Sequence, residues 1–143
     1  MSTHAPVTNY NGIFCCSGQE NMEELLSTLG VGWMKRKAAS AMGYGVGKLV
    51  QTLEQDGNNM SISNKGGQKN FVNNVVVGTE QQLDSDDGIV PVTTHWDSEG
   101  NLVMNTLLMG KEVTIVRKMI GDNEMKMVIS FHEVSAIRKF TRK

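Results

Sequence analysis

The sequence has only two cysteines among its 143 residues, and they are adjacent, Cys15 and Cys16. Neighbouring side chains on a β-strand point to opposite faces, so we do not expect these two thiols to bond to each other. Reduced thiols are typical of a cytosolic protein. The three histidines lie singly in the chain, and no CxxC pair or other metal-ligand spacing occurs. The sequence therefore gives no reason to expect a structural metal.

Long apolar runs and an excess of one charge are also absent. No uncharged apolar run approaches the roughly 20 residues that cross a bilayer, and the N-terminus lacks the pattern of a signal peptide. We therefore expect a cytoplasmic protein. Lys and Arg number 14 and Asp and Glu number 15, so no global field favours nucleic acid as a partner. The length suits one domain, which we place at residues 10–143 after a flexible N-terminal extension, residues 1–9.

The common sequence signatures of enzymes are missing as well. There is no nucleophile elbow, phosphate loop, HExxH or paired-carboxylate motif. The acidic run that contains Asp84, Asp86 and Asp87 lacks the glutamate that ends a calcium-binding loop. We therefore expect a binding protein, not an enzyme, and no cofactor other than a non-covalently held ligand.

What the chain does contain is a short helical region followed by many alternating runs. Residues 10–17 read as a strand, and the helical region begins at Gln19. Asn21 is the expected N-cap of a first helix, and a second helix covers residues 34–42. The apolar positions of the first helix recur at helical spacing: Met22, Leu25, Leu26 and Leu29.

From residue 48 onward, apolar and polar residues alternate in short runs. Turn-forming sequences such as Asp56-Gly57, Gly66-Gly67 and Gly121-Asp122-Asn123 separate these runs. One strand before the helices and about nine after them predict an all-β protein, an antiparallel barrel or clam whose closure removes exposed edges. A barrel of this width has room for a ligand inside.

Two arginines near the C-terminus fall on the apolar faces of predicted strands. Arg117 and Arg138 share the parity of their apolar neighbours, whereas Lys118 and Lys139 have the opposite parity. The apolar residues on the two arginine-bearing faces are Val113, Ile115, Met119, Val134, Ala136 and Phe140.

A third alternating run, residues 124–131, lies between the two arginines and places Met127 on its apolar face. If the three runs form a meander, the outer strands lie roughly 10 Å apart. Two guanidinium groups then converge on one carboxylate, which predicts a carboxylate-binding cavity. The alternative is a pair of structural arginines neutralised by internal Asp or Glu, because an unpaired charge in a dry interior is costly.

Several segments, in order along residues 10–143, resemble the intracellular lipid-binding proteins, the family of fatty-acid-binding and cellular retinoid-binding proteins. One segment resembles the family's opening strand: Tyr10-Asn11-Gly12-Ile13-Phe14. Another matches the family's first helix: Gln19-Glu20-Asn21-Met22-Glu23-Glu24-Leu25-Leu26. Val77-Gly78-Thr79-Glu80 is similar to a middle-strand signature of the family. Two further segments match the paired arginines with which the family holds its ligand: Val113-Thr114-Ile115-Val116-Arg117 and Ala136-Ile137-Arg138-Lys139-Phe140.

The resemblance implies a ten-stranded up-and-down β-barrel, the β-clam, capped by a helix-turn-helix lid. It also implies carriage of a long-chain fatty acid or similar hydrophobic carboxylate by a monomer. Arg117 and Arg138 would hold the carboxylate, and Phe140 departs from the usual Arg-x-Tyr pattern, which removes a hydroxyl donor. The other residues that we assign to the ligand are Met104, Thr106, Ile115, Met119 and Met127.

Two questions about the ligand and the lid stay open at this point. The ligand is either a fatty acid or a bulkier acid such as retinoic acid, a bile acid or a pigment. The arginine at position 117 favours an acid over an alcohol such as retinol. Met34, Lys35 and Met42 are expected at the portal. The cations of the second helix either touch anionic membranes transiently, at about 1 kcal/mol each, or form an ordinary solvated helix face.

Overall fold

The computed structural model describes residues 8–143. Most of the predicted N-terminal extension, residues 1–7, therefore lies outside the described residues. The first strand and the lid are β1 Gly12–Glu20, α1 Met22–Thr28, α2 Trp33–Ala41 and a 3₁₀ turn, Gly43–Gly45. The remaining strands are β2 Val50–Asp56, β3 Asn59–Lys65, β4 Phe71–Val76, β5 Glu80–Ser85, β6 Gly88–Trp96, β7 Leu102–Leu108, β8 Lys111–Ile120, β9 Glu124–Phe131 and β10 Val134–Arg142.

The ten strands form one antiparallel sheet in the order β4-β3-β2-β1-β10-β9-β8-β7-β6-β5. Each strand pairs with the next strand along the chain except at β4 and β5, and β1 also pairs with β10, which joins the two ends of the chain. The predicted all-β architecture, with one strand before the lid and nine after it, is confirmed. Among the described residues, no helix is both long and apolar enough to span a membrane.

Closure of the sheet is incomplete, because no backbone ladder joins β4 to β5. Two side-chain amides bridge this seam instead. Asn73 donates to the carbonyl of Asp84 at 2.9 Å and accepts from its N–H at 3.0 Å. Gln81 accepts from the N–H of Val76 at 2.9 Å and donates to the carbonyl of Asn74 at 3.1 Å. The sheet is therefore a nearly closed barrel whose last seam is bridged by side chains.

The start of the helical region also differs from the prediction. The helical region was expected to begin at Gln19, with Asn21 as the N-cap of the first helix, but β1 continues to Glu20 because a bulge near Gly18 lets Gln19 pair with Arg138. Asn21 occupies the N-cap position, yet its side chain does not cap the helix. It donates to the carbonyl of Ser135 at 2.9 Å, and Gln19 accepts from the N–H of Met22.

The apolar core has two parts. The larger lies between the walls of the barrel and includes Phe14, Leu53, Leu102 and Phe140. The smaller lies beneath α1, whose buried residues Met22, Leu25 and Leu29 pack on Val113, Ile129, Phe131 and Ala136. Full burial of each such side chain contributes roughly 1.5–3 kcal/mol, so the helical stripe fixes α1 on β8, β9 and β10.

A tyrosine closes the end of the barrel opposite the helices. Tyr10 Oη donates to the carbonyls of Gly100, at 2.9 Å, and Arg117, at 3.2 Å. Its ring stacks on Trp96 with centroids 5.9 Å apart, and Trp96 Nε1 donates to Asn58 at 2.8 Å. Burial raises the pKa of Tyr10 to about 12. The phenol therefore stays neutral and ties the strand that carries Arg117 to the end of the barrel.

Candidate ligand-binding site

Arg117 and Arg138 lie in one row across β8, β9 and β10. The strands form the expected meander, and Met127 is the cross-strand partner of both arginines. Met127 and Arg117 are buried, and the Nε atom of Arg138 is buried too. The two guanidinium groups therefore project from strands two positions apart on the inner face, with one thioether side chain between them.

Neither arginine has an acidic partner among residues 8–143, where the ion pairs join Arg36 to Glu23 and Lys139 to Glu20. Arg117 Nη1 lies 3.3 Å from the sulfur of Met104, and the Nε atoms of both arginines lack a hydrogen-bond partner. The alternative of internal neutralisation by Asp or Glu is therefore not what the structure shows. A buried cation without a counter-ion is costly, so the row is the candidate anion-binding site of the described residues.

Burial also shifts the acidity of these cations. It lowers the pKa of Arg117 to about 10, and the interaction with Tyr10 opposes that shift. Burial lowers the pKa of Arg138 as well, and attraction to Cys16 and then Asp86 opposes that shift. Both shifts mean that the interior disfavours the charged guanidinium. A bound anion would favour the charged form and raise both pKa values.

The other residues assigned from the sequence lie around this row. Met104 and Met127 are buried, and Phe140 is completely buried one row below Arg138. Ile115 and Met119 are partly buried and pack on the core. Thr106 is half-buried, and its hydroxyl donates to the carbonyl of Pro91 at 2.9 Å, so that hydroxyl is already occupied within the barrel wall.

Sequence reasoning missed a second polar feature of the interior. Gln51 on β2 and Asn64 on β3 are both buried, and Gln51 Nε2 donates to Asn64 Oδ1 at 3.1 Å. The signal was present in the alternation, because Gln51 shares the parity of Leu53 and Asn64 that of Ile62. A charged residue on an apolar strand face is a strong sequence signal, whereas a neutral amide at such a position is a weak one.

No family model matches the chain. Two curated proteins resemble it over nearly their whole length. Cellular retinoic acid-binding protein 2 of Homo sapiens is 28% identical over 138 residues, which cover 94% of this chain and 98% of that protein. Fatty acid-binding protein of Schistosoma japonicum is 29% identical over 138 residues, covering 95% and 99%.

Solved structures share the fold. The Schistosoma mansoni fatty acid binding protein in complex with arachidonic acid has a TM-score of 0.78 and 25% identity, covering 94% of this chain and 96% of that one. The REP1-NXSQ fatty acid transporter has a TM-score of 0.75 at 21% identity, covering 93% and 95%, and shows the fold alone. In sequence and fold the chain is therefore similar to fatty acid-binding and cellular retinoic acid-binding proteins, which supports the resemblance to the intracellular lipid-binding proteins. These proteins are named for what they bind or transport, in agreement with the expectation of a binding protein and not an enzyme.

One of the family motifs lies in a different element from the one expected. The segment Val77-Gly78-Thr79-Glu80 resembled a middle-strand signature of lipid-binding proteins. In the structure it forms the turn between β4 and β5, and only Glu80 belongs to a strand. Gly78 has a φ of 96°, a left-handed conformation that glycine adopts without strain.

Side-chain hydrogen bonds to one carboxylate join the second helix of the lid, and the 3₁₀ turn after it, to the first helix. Arg36 of α2 lies 3.0 Å from Glu23 of α1, and Tyr44 Oη donates to the same carboxylate at 2.8 Å. These two hydrogen bonds lower the pKa of Glu23. No residue of α2 is buried. The predicted portal residues Met34, Lys35 and Met42 are all exposed, and Trp33 beside them is exposed too.

A separate groove of about 880 Å³ runs along β5 to β9. Outward-facing polar residues make up much of its lining, among them Thr93, Asn105, Thr114 and Ser130, and neither arginine borders it. Because this groove offers no buried charge, the arginine row inside the barrel is the stronger candidate site.

Proposed function

We propose that this protein is a carrier for one long-chain fatty acid or a similar hydrophobic carboxylate, held without covalent bonds inside the barrel. One observation supports the proposal above all others. Arg117 is buried and Arg138 is partly buried in a single row, and no acid among the described residues forms an ion pair with them. A carboxylate that bridges the row would neutralise both cations with charge-assisted hydrogen bonds.

The apolar surroundings suit the rest of such a ligand. Burial of an alkyl tail contributes about 0.8 kcal/mol for each methylene. Met104, Met119 and Met127 line the same region, and methionine adapts to irregular ligand shapes because it is flexible and polarizable. The buried thioethers and the arginine row together favour an amphipathic acid over a neutral lipid.

A bulkier acid such as retinoic acid is the second candidate, because one relative is a cellular retinoic acid-binding protein. A bile acid or a pigment belongs to the same chemical class. Solvent extraction of the purified protein followed by mass spectrometry separates these possibilities. A conjugated or steroidal acid in the extract would favour the second candidate, and saturated or unsaturated fatty acids alone would favour the first.

Substitution of the arginines tests the clamp itself. Arg117→Leu and Arg138→Leu should each weaken binding of oleic acid by about tenfold or more, because an Arg–carboxylate bond is lost in a buried site. Binding of methyl oleate should change much less, since the ester carries no charge. Isothermal titration calorimetry measures both ligands.

The matched control is Lys118→Leu, which removes a neighbouring cation of opposite parity on the same strand. It should leave binding of oleic acid unchanged. Equal losses of affinity for the acid and the ester in the arginine variants would refute the carboxylate clamp.

The proposal extends to the setting in which the carrier works. We place a single folded domain over residues 10–143, as a monomer in the cytosol. The exposed side chains Trp33 and Met34 stand beside Lys35 and Lys37 on α2, a combination of apolar and cationic groups that binds anionic lipid surfaces. If α2 docks on membranes, ligand transfer to vesicles containing phosphatidylserine should be faster than transfer to neutral vesicles. Lys35→Glu with Lys37→Glu should abolish that difference.

A further inference from the structure

Gln51 and Asn64 form a buried amide pair on the inner face of β2 and β3. Gln51 is 5% exposed and Asn64 is 7% exposed, and they are cross-strand partners. Their strand neighbours on the same face, Leu53 and Ile62, belong to the apolar core. The pair is therefore a polar island within an otherwise hydrocarbon wall.

This island is incomplete. Gln51 uses its Nε2 for the bond to Asn64, while its buried Oε1 has no hydrogen-bond partner. Buried carbonyl oxygens in proteins nearly always accept a hydrogen bond, because loss of solvation is otherwise uncompensated. The flanking cross-strand partners offer no donor side chain, since Phe14 lies opposite Gln51 and Phe71 lies opposite Asn64.

We propose that Gln51 and Asn64 bind a hydroxyl group on the tail of the acid whose carboxylate occupies the arginine row. The ligand class is then a hydroxylated long-chain acid. This inference rests on the proposed function, because it needs the same ligand inside the barrel. A hydroxyl group donates to an amide oxygen and accepts from an amide N–H, so it matches Gln51 in either orientation of its amide.

The register places this hydroxyl far from the carboxylate. On β1, Gln19 lies opposite Arg138 and Phe14 lies opposite Gln51. The five residues that separate these two positions span roughly 15 Å of strand. The hydroxyl should therefore stand in the middle of the tail, and an acid hydroxylated next to its carboxylate should gain nothing from Gln51.

Three matched acids test the inference: oleic acid, ricinoleic acid with its mid-chain hydroxyl, and alpha-hydroxyoleic acid. Displacement of a bound anilinonaphthalene sulfonate dye gives each dissociation constant. The unaltered protein should bind ricinoleic acid about three- to tenfold more tightly than oleic acid, as one added buried hydrogen bond predicts. Alpha-hydroxyoleic acid should show no such gain.

Gln51→Leu keeps the size of the side chain and removes its amide. It should abolish the preference for ricinoleic acid, while oleic acid binds at least as well as before. Gln82→Leu, at an exposed position of β5, is the control and should keep the preference.

Equal affinities for oleic and ricinoleic acid, or a preference for oleic acid, would overturn the inference and leave the carrier function intact. Failure of all three acids to bind would overturn the proposed function and this inference with it. The comparison uses the unaltered protein, so it decides the question even if Gln51→Leu does not fold. As a second readout, the side-chain amide resonances of Gln51 should shift with ricinoleic acid and stay in place with oleic acid.

Discussion

Arg117 and Arg138 stand in one row across three strands, because each is the cross-strand partner of the same methionine, Met127. This register places the Cα atoms of both arginines at the same height in the three-stranded meander. It also makes the position between them the natural place for an internal counter-ion, which the chain fills with a neutral thioether.

A carboxylate introduced at position 127 should compete with the ligand. In Met127→Glu, the new side chain would lie between two cations and pair with both. Binding of oleic acid should fall by about tenfold or more, and binding of methyl oleate should be largely retained. Titration calorimetry with both ligands measures the effect, and circular dichroism confirms that the barrel is intact.

Met127→Gln is the matched control, because it has nearly the same shape without the charge. It should bind oleic acid much as the unaltered protein does. If Glu and Gln at this position weaken the acid equally, the effect is steric and the arginines do not act on the carboxylate.

The inward positions of Arg117 and Arg138 were predictable from the sequence, because both charge and strand alternation mark them. The parity of Arg117 and Arg138 follows from their own strands, and the turn at Gly121-Asp122-Asn123 predicted that the strands between them form a meander. The alternation that placed Arg117 inward applied equally to Gln51. The register of Gln51 with Asn64 follows from the two-residue turn that pairs Asp56 with Asn59, and the sequence marked a turn at Gly57 without specifying its length.

Two features of the fold depended on contacts that no local pattern reveals. Gln19 follows a glycine and precedes a helix, so local signals favoured a helix start, but pairing with Arg138 on β10 keeps it in β1. The seam between β4 and β5 depends on where Asn73 meets Asp84 across a gap without a backbone ladder. In both cases the partner lies on another strand, and tertiary contacts override local propensity.

The missing hydroxyl at position 140 gives a gain-of-affinity test. Phe140 is completely buried, two residues beyond Arg138 on the same face. The family pattern has tyrosine here, so Phe140→Tyr should supply a third donor to the carboxylate. We expect oleic acid to bind about three- to tenfold more tightly, the usual effect of one added hydrogen bond.

Titration calorimetry of Phe140→Tyr with oleic acid measures this gain, and Phe131→Tyr, at a buried position beneath α1, serves as the control. Unchanged or weaker binding in Phe140→Tyr would mean that the headgroup lies out of reach of position 140.

The seam between β4 and β5 should open more readily without its amide bridges. Asn73→Ala removes both hydrogen bonds to the backbone of Asp84, and we expect it to lower the free energy of unfolding by about 1 kcal/mol. Amide hydrogen exchange should speed up at Asp84, because its N–H loses its acceptor. Asn74→Ala, the exposed neighbour whose side chain faces away, should change neither quantity. Identical exchange at Asp84 in the two variants would show that the bridge does not hold the seam.

The outer face of the same meander carries a repulsive arrangement that one substitution should relieve. Lys126 is the cross-strand partner of both Lys118 and Lys139, and like charges directly opposite each other destabilise a sheet. Lys126→Glu would convert two repulsions into two attractions, so the free energy of unfolding should rise by about 0.5–1 kcal/mol at low salt. Added salt should shrink the gain, because these side chains are partly exposed.

Urea unfolding at low and high ionic strength measures the change, and Lys126→Gln separates relief of repulsion from new attraction. The glutamine variant should gain roughly half as much, since it removes one charge without adding another. Binding of oleic acid should stay the same in both variants, because position 126 has the opposite parity to Met127 and faces away from the arginine row. If Lys126→Glu instead lowers the free energy of unfolding, the three ammonium groups do not repel one another in solution. The cross-strand register would then not be enough to predict their interaction.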